Sequence, residues 1–351
     1  MNRSGRALLA GAALVLLGTT ACSSGSSPAP LRSTGTGQCT LSATLVPSCG
    51  ALWGISTQPK SITALDALQK EVDRPFELVY NYHDITQPIP TDEERRLASE
   101  GKILHLSIAA RVYGDSRPVT YASIARGDHD ASLRRQAEGL ASLKVPVFVT
   151  FEQEGNQQRK LGTRGDAADY KAAWRHVHDV YRAAGATNAI WVWVMTGRPE
   201  NLSRAGSIWP GNDYVDWISW NVYNQSGCHS GEIKPHAYRS FAQRLKPFYD
   251  WVHQKGPSFG IDPHKPMMIS ESGSVLYRDD PQRTADWYRA IPGVLKQYPQ
   301  VKAITLWDSK TSDACDYRFR ENRTVLKGVI DAGASPWLNV NTSILKDGKE
   351  S

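Results

Sequence analysis

Apolar and polar positions along the chain follow a repeating order. From residue 51 onward, a short apolar run leads into a polar loop, and the loop leads into a segment with apolar residues every three or four positions. Short apolar runs bounded by turn residues are typical of buried strands, and the longer spacing is typical of amphipathic helices. Strands that alternate with helices in this way favour a parallel sheet.

The repeat predicts a complete set of strands and helices for one large domain. Eight strands and their helices over about 285 residues match the size of a (β/α)8 barrel. We therefore predict an α/β fold, a single (β/α)8 TIM barrel. The predicted strands are 52–55, 76–80, 103–108, 145–151, 189–195, 217–223, 267–270 and 303–307, and the predicted helices are 60–72, 91–100, 130–143, 169–184, 238–255 and 284–297.

Two of the predicted strands end in carboxylates. The fourth runs through VPVFVTFEQEGN, which carries no charge until Glu152 and Glu154, and the seventh ends at Glu271. The carboxyl ends of the strands build the active site of such a barrel. A pair of carboxylates, one an acid/base and the other a nucleophile or base, is what glycoside hydrolysis requires.

Glu152 is the rival of Glu154 for the catalytic role. Alternation along an extended strand would turn both side chains inward, with Glu152 one step deeper. The other interpretation of Glu152 is a buried ion pair with Arg111 or Arg175. Burial and an opposed carboxylate would raise the pKa of the acid, and hydrogen bonds would favour the ionised form of the nucleophile.

The sixth and eighth strands supply candidate partners for these carboxylates and for a sugar. Asn221 and Tyr223 lie on one face of the sixth strand, so they are natural hydrogen-bond donors. Trp307, at the end of the eighth strand, is the best stacking platform for a sugar ring. For Trp193 and Trp220 we favour packing of the barrel over contact with a ligand.

The first residues predict an export signal outside the fold. Arg3 and Arg6 precede the apolar stretch 7–17, and small residues lead to Cys22. This arrangement resembles a bacterial lipobox, in which the cysteine is lipidated and becomes the mature N-terminus. A plain secretory signal with a free cysteine is the alternative.

We place four segments along the chain. Residues 1–21 are a lipoprotein signal peptide, and residues 22–49 are a flexible tether, rich in Ser, Gly and Pro, with a small disulfide loop. Such a composition cannot bury a core. Residues 50–337 form the barrel, and residues 338–351 form a loose polar tail.

Cysteine usage fits an oxidising compartment. If Cys22 carries lipid, four cysteines remain, and an even number suggests two disulfides. Three pairings are possible, and we favour Cys39 with Cys49 and Cys228 with Cys315.

Composition narrows the class of function. The net charge of +6 is spread along the chain and forms no stripe typical of nucleic-acid binding. Eleven tryptophans and fourteen tyrosines suit sugar stacking as well as a large core. No cysteine or histidine spacing indicates a metal site, and we predict no cofactor.

Four segments together resemble glycoside hydrolase family 26, the family of the bacterial endo-β-mannanases. IARGDHD at 124–130 resembles the family's I-x-x-G-x-x-D, and FEQEGN at 151–156 resembles F-x-H-E-x-N. WPGNDYVDWISWNVYN at 209–224 resembles YPGDxYVDWVGxDxYN, and KPMMISESGS at 265–274 resembles KPxMIxEFGS. The resemblance covers residues 50–335.

The resemblance implies a (β/α)8 barrel that hydrolyses with retention of anomeric configuration. It implies Glu154 as the acid/base, Glu271 as the nucleophile and Tyr223 as a hydrogen-bond partner of the nucleophile. Asn156 and Trp307 would shape the sugar site. The predicted substrate-binding residues are Asn156, Tyr223, Trp307, Gln153, Asn221 and Arg111.

Three positions depart from the family pattern. Gln153 stands where the family has histidine, Thr150 stands where it has arginine, and the tryptophan that follows the Asn-Gly position is missing. These positions bear on the sugar at the cleaved bond. They leave open a mixed-linkage β-glucan, a β-1,3-xylan or an envelope polysaccharide as substrate.

These observations predict an exported, retaining glycoside hydrolase of the endo-β-1,4-mannanase type. Its partners would be a polysaccharide or oligosaccharide and, through lipid at Cys22, the outer face of the bacterial cell membrane. We predict a monomer. The alternative from another class is a non-catalytic surface carbohydrate-binding protein.

Overall fold

The computed structural model describes residues 39–340 except Ser116 and Pro118. The predicted signal peptide, Cys22 and residues 341–351 lie outside the described residues. Eight parallel strands close into one barrel in chain order, and β1 pairs with β8. The strands are β1 Leu52–Thr57, β2 Leu78–Asp84, β3 Ile103–Ala109, β4 Val147–Phe151, β5 Ala189–Thr196, β6 Trp217–Asn224, β7 Met267–Ser274 and β8 Val301–Asp308. The predicted (β/α)8 TIM barrel is confirmed.

The helices surround the barrel, and several begin at the capping residues that the sequence supplies. Thr91 and Glu94 form a capping box at one helix, and Ser240 and Gln243 form one at another. Such boxes satisfy backbone N–H groups that the first turn leaves free. The helices are α1 Ile62–Glu71, α2 Asp92–Ser99, α3 Tyr121–Ala125, α4 Asp130–Ala141, α5 Gln158–Arg164, α6 Ala167–Ala183, α7 Leu202–Ser207, α8 Phe241–Gln254, α9 Pro281–Arg289, α10 Ile291–Leu295 and α11 Arg323–Gly333.

Some predicted boundaries differ from those observed. β2 and β7 each extend four residues past their predicted ends, to Asp84 and Ser274, so Glu271 lies within its strand. The predicted helix 284–297 is two helices, α9 and α10. Pro292 lies in the first turn of α10, and proline inside a continuous helix would remove a hydrogen bond and clash with the preceding turn.

The core has two layers, between the helices and the barrel and inside the barrel. Trp193 and Trp220 are buried in the outer layer, where both rings contact Phe248 of α8. Their predicted packing role is confirmed. Inside the barrel, the amino-terminal end is filled by apolar residues that include Phe148 and Trp217.

The loop between Cys39 and Cys49 closes the amino-terminal end of the barrel. Leu45 is fully buried in the inner cluster. The indole Nε1 of Trp217 donates to the carbonyl of Thr44 at 2.8 Å. The predicted small disulfide loop is present, and it packs on the barrel through Leu45 together with the partly buried Leu41 and Val46. The predicted tether before residue 39 lies outside the described residues.

Packing also continues past the predicted end of the barrel at residue 337. Leu338 is fully buried, and Val340 is buried against the inner cluster. The loose tail therefore does not begin at residue 338. Composition could not predict this boundary, because only two apolar residues, Leu338 and Val340, extend the packing.

Both favoured disulfides are present in the structure. Cys39 bonds to Cys49, and Cys228 bonds to Cys315. The second bridge joins the loop after β6 to the loop after β8. In the described part of the chain, no helix has the length and apolar character needed to cross a bilayer.

Candidate active site

One pocket opens at the carboxyl ends of the strands, and both predicted catalytic glutamates line it. Its volume is about 530 Å³. Glu154 follows β4, and Glu271 lies in the second half of β7. Other lining residues are Gln157, Arg198, Tyr223, His229, Trp307 and Tyr317.

Two tyrosines from other strands hold the carboxylate of Glu271. Tyr82 of β2 donates from its hydroxyl to Oε1 at 3.0 Å, and Tyr223 of β6 donates to Oε2 at 2.9 Å. Burial raises the pKa of both hydroxyls well above the usual range, so both stay protonated as donors. With each oxygen engaged, the carboxylate has a fixed orientation.

The pKa of Glu271 is raised from its ordinary value to about 7. Burial is the largest cause, and the negative charge of Glu154 adds to it. The hydrogen bonds from Tyr223 and Tyr82 act in the opposite direction. A carboxyl that titrates near neutral pH can exchange a proton under working conditions. The sequence led us to expect a raised pKa at the acid, whereas this raised pKa belongs to Glu271, the predicted nucleophile, because burial and the charge of Glu154 outweigh the two tyrosine hydrogen bonds.

Glu154 reaches the pocket from a turn and not from the strand. β4 ends at Phe151, and Glu152 and Glu154 have positive φ angles of 51° and 55°. Left-handed backbone at residues other than glycine is uncommon, and it is concentrated at functional sites. In this conformation Oε1 of Glu154 accepts from Nδ2 of Asn221 at 3.0 Å, and Oε2 accepts from Gln157.

Glu152 does not share the face of Glu154, so the predicted alternation is wrong at this point. Its carboxylate is fully buried and pairs with Lys160 at 2.7 Å and with Arg164. It also accepts from the N–H of Ala110 at 2.6 Å. Although burial opposes it, these charges and hydrogen bonds keep the pKa of Glu152 below its ordinary value. Glu152 is therefore an ionised structural residue.

The partners predicted for Glu152 are wrong, although the ion pair itself is confirmed. Arg111 is exposed, and its guanidinium lies over the ring of Tyr113 at 5.0 Å. Arg111 also lies outside the lining of the pocket. Arg175 donates to the carbonyl of Pro210 at 2.7 Å. The actual partners come from α5, which directly follows the turn.

Two other predicted binding residues, Asn156 and Gln153, do not line the pocket and instead make hydrogen bonds within the protein. Asn156 is fully buried; its Nδ2 donates to the carbonyls of Thr196 and Asn201, and its Oδ1 accepts from the N–H of Thr196. It thereby ties Thr196, at the end of β5, to Asn201 in the turn Pro199–Asn201, and both of these residues line the pocket. Gln153 accepts from the hydroxyl of Ser107 at 2.7 Å and does not line the pocket.

An aromatic group forms one wall of the pocket. The ring of Tyr223 lies edge-on to Trp307 at 6.1 Å and 4.9 Å from Tyr317. Trp307 is half-buried, so part of its ring faces the cavity. Such a surface suits the apolar face of a sugar ring. The role of Trp307 as a stacking platform stays a prediction.

Several residues of the site were missed from the sequence: Tyr82, which holds Glu271, and others that line the pocket. Tyr82 follows the same rule that identified the glutamates, because it ends the second strand in NYHD. Gln157 lies three residues after Glu154, and reading the turn correctly would have identified it. Arg198 and His229 lie in loops after β5 and β6, and strand periodicity carries no information about such loops.

Among the described residues, one group brings three potential metal ligands together: Cys228, His229 and Cys315. The two sulfurs are bonded to each other. A disulfide has no thiolate to offer a metal. The group is therefore a covalent bridge with a histidine beside it.

The fold is a closed parallel (β/α)8 barrel, and its candidate active site is a pocket at the carboxyl ends of the strands that is lined by two glutamates. No family model matches the chain. A β-1,3-xylanase from a Vibrio species is 22% identical over 228 residues, which cover 60% of this chain and 46% of the relative. Endoglucanase H from Acetivibrio thermocellus is 28% identical over 141 residues, which cover 35% of this chain and 15% of the relative. The chain thus spans less than half the length of these curated relatives.

Solved structures give the fold comparison. The structure of a family 26 β-mannanase from Bacteroides ovatus matches with a TM-score of 0.60 at 14% identity. The match covers 83% of this chain and 90% of that chain. The resemblance to family 26 is confirmed in the fold.

Proposed function

We propose that the protein is a retaining glycoside hydrolase of family 26 that cleaves a β-linked polysaccharide, with a β-1,4-mannan as the first candidate substrate. One observation carries the proposal. Two glutamates, Glu154 in the turn after β4 and Glu271 in β7, line one pocket. Glu271 accepts hydrogen bonds from two tyrosines, and Glu154 accepts hydrogen bonds from two amides. The family fold supports it.

The reaction proceeds in two displacements. In the first, Glu154 gives its proton to the glycosidic oxygen while the carboxylate of Glu271 attacks the anomeric carbon, so the glycosidic bond breaks and a glycosyl ester forms. In the second, Glu154 takes a proton from water, and that water displaces Glu271. Two inversions give net retention. Tyr82 and Tyr223 orient Glu271 and disperse the charge that returns to it.

The first test is a panel of mannan, glucomannan, mixed-linkage glucan, xylan and β-1,3-xylan, assayed by release of reducing ends. Glu154→Gln and Glu271→Ala are compared with Glu138→Gln, which is exposed on α4. We expect one polymer to be cleaved and each catalytic variant to lose about three orders of magnitude or more in kcat, while Glu138→Gln retains full activity. If no polymer is cleaved and the polymers bind equally to parent and variants, the protein is a carbohydrate-binding protein instead.

A β-1,3-xylan is the second candidate substrate. The Vibrio relative bears the name β-1,3-xylanase and aligns over more of this chain than endoglucanase H does. Gln153 and Thr150, which replace residues of the mannanase pattern, support the same alternative. Product analysis on β-1,3-xylan and on mannan, under identical conditions, decides between them.

We also propose that the protein is exported and lipid-anchored at Cys22, as a monomer. The support is the sequence alone. Expression of the full chain with radiolabelled palmitate, beside Cys22→Ala, tests the anchor. Label in the parent and none in the variant is the expected result, and a secreted, unlabelled parent would contradict it.

A further inference from the structure

A small side pocket adjoins the main pocket at Glu154, and two arginines line it. Arg198 follows β5 and lines both cavities, and Arg244 lies in the first turn of α8. The volume of the side pocket is about 30 Å³. Since a single water-sized group needs about 10–15 Å³, this space admits a small group with two or so oxygens and excludes a sugar ring.

The guanidinium of Arg244 has no protein partner in the part of the chain that the structure describes. Its Nε is buried without a hydrogen bond. Burial lowers the pKa of Arg244, the positive charges of Arg198 and Arg239 lower it further, and Glu200 offsets this in part. Arg244 is thus held as an unpaired cation beside other cations.

Arg198 is positioned by neutral groups. Its Nη2 donates to Oε1 of Gln225 at 2.6 Å and lies 3.3 Å from Nε2 of His229. Its nearest carboxylate among the described residues is the largely exposed Glu200, at 3.9 Å. Glu154 also lines the side pocket, but two arginines against one carboxylate leave the space with a net positive charge.

This arrangement opposes folding stability. A buried donor without a partner costs free energy, and neighbouring like charges repel each other. A cation in the first turn of a helix also opposes the helix dipole. A bound anion would relieve all three effects at once.

We infer that the side pocket binds an anionic substituent of the glycan, so that the substrate is an acidic polysaccharide. Arginine donates paired N–H groups that match the two oxygens of a carboxylate or of a phosphate. A carboxylate and a phosphate share this chemistry, since each is a small oxyanion that a sugar near the cleaved bond can carry. This inference rests on the proposed function, because it names the class of glycan that the same site takes.

The test is calorimetric binding of matched oligosaccharides to the full chain carrying Glu271→Gln, which prevents turnover. Mannotetraose and the β-1,4-mannuronate tetramer differ at C6 alone, where hydroxymethyl is replaced by carboxylate. A mannotetraose phosphorylated at one C6 provides the phosphate arm. We expect an acidic tetramer to bind about tenfold or more tightly than the neutral one, as a charged hydrogen bond provides.

Variants separate charge recognition from general sugar contact. Arg244→Gln should remove the preference for the acidic tetramer, and Arg244→Lys should keep a large part of it. Arg135→Gln, exposed on α4, is the matched control and should leave the preference unchanged. A circular dichroism melt of each variant shows whether it is folded.

The outcomes are distinct. Tighter binding of the mannuronate tetramer identifies a carboxylate, and tighter binding of the phosphorylated one identifies a phosphate. Equal affinities, no binding of any acidic tetramer, or equal weakening of neutral and acidic tetramers by Arg244→Gln overturns the inference. If a neutral polymer is nevertheless cleaved by the parent, the proposed function survives that result. Failure to cleave any neutral or acidic polymer counts against the proposed function itself.

Discussion

Glu271 and Glu154 are held by different kinds of donor. Tyrosine hydroxyls engage both oxygens of Glu271, whereas side-chain amides of Asn221 and Gln157 engage Glu154. Hydrogen bonds from O–H to a carboxylate are shorter and stronger than those between neutral groups. They stabilise the ionised form of Glu271, which is the form that a nucleophile needs.

Replacing Tyr82 with phenylalanine should shift the pH dependence of activity. Tyr82 lowers the pKa of Glu271, which lies at about 7. Loss of this donor raises that pKa, so the acidic limb of kcat/KM should move upward by about one pH unit. Tyr249→Phe, on α8 and away from the pocket lining, is the control. An unchanged limb in Tyr82→Phe would show that Glu271 is not the group that titrates there.

Glu271 should also make stability depend on pH. Its pKa is 4.5 as an ordinary carboxyl and about 7 in the folded protein. Between these values the unfolded chain loses a proton that the folded protein keeps, so stability falls as pH rises, and the loss is complete above pH 7. Glu271→Gln should therefore raise the free energy of unfolding by about 1–3 kcal/mol at pH 8 and change it little at pH 4. Chemical denaturation at both pH values measures this, with Glu138→Gln as control; an equal gain at both values contradicts the account.

The turn after β4 shows what periodicity can and cannot predict. The apolar run located the strand, and the charged end located the site. Alternation failed at Glu152 because left-handed backbone at Glu152 and Glu154 interrupts the extended conformation. A glutamate in the sequence does not predict left-handed backbone, whereas a glycine would make it plausible. The ion pair with Lys160 and Arg164 depends on how α5 folds back, which is a tertiary contact.

The Cys228–Cys315 bridge joins two loops that both contribute to the pocket wall. His229 follows one cysteine directly, and Tyr317 lies two residues after the other. Since 87 residues separate the cysteines, the bridge restricts both the unfolded chain and the loops. The cysteine count predicted two disulfides but left three pairings open, and it carried no information on the place of this bridge beside the pocket.

Removing this bridge by Cys228→Ser with Cys315→Ser should weaken substrate binding. We expect KM to rise severalfold, because the two loops are no longer linked covalently. We also expect the free energy of unfolding to fall by about 2–4 kcal/mol. Cys39→Ser with Cys49→Ser, at the other end of the barrel, should lower stability without raising KM. Equal KM values in the two double variants would show that the bridge near the pocket does not hold the binding surface.

The two ends of the barrel have different roles: the candidate active site lies at the carboxyl ends of the strands, and the apolar packing that closes the barrel lies at the amino ends. The carboxyl ends of the strands carry the glutamates, and the amino ends are closed by Leu45. Barrels of this kind commonly divide the two tasks in this way. The eight strands could be predicted because each is a separate local pattern. The packing of the closing loop could not, because the burial of Leu45 depends on a tertiary contact with the barrel and not on a local pattern.

Leu45→Ala should test this division. Leu45 is fully buried, and a buried leucine replaced by alanine costs about 2–5 kcal/mol. We expect the melting temperature to fall and kcat/KM at 20 °C to stay unchanged. Leu41→Ala, at a half-buried position of the same loop, should cost less. A large loss of kcat/KM in folded Leu45→Ala would show that the two ends are coupled.

The most direct test of the central claim is azide rescue of Glu154→Ala and Glu271→Ala on an aryl glycoside of the sugar that the polymer panel identifies. A good leaving group needs no proton, so Glu154→Ala should form the glycosyl-enzyme, and azide should release it as the β-glycosyl azide. Glu271→Ala has no nucleophile, so azide should attack directly and give the α-glycosyl azide. Proton NMR of the anomeric centre distinguishes the two products. The opposite assignment, or full activity in either variant without azide, would contradict the roles given to the two glutamates.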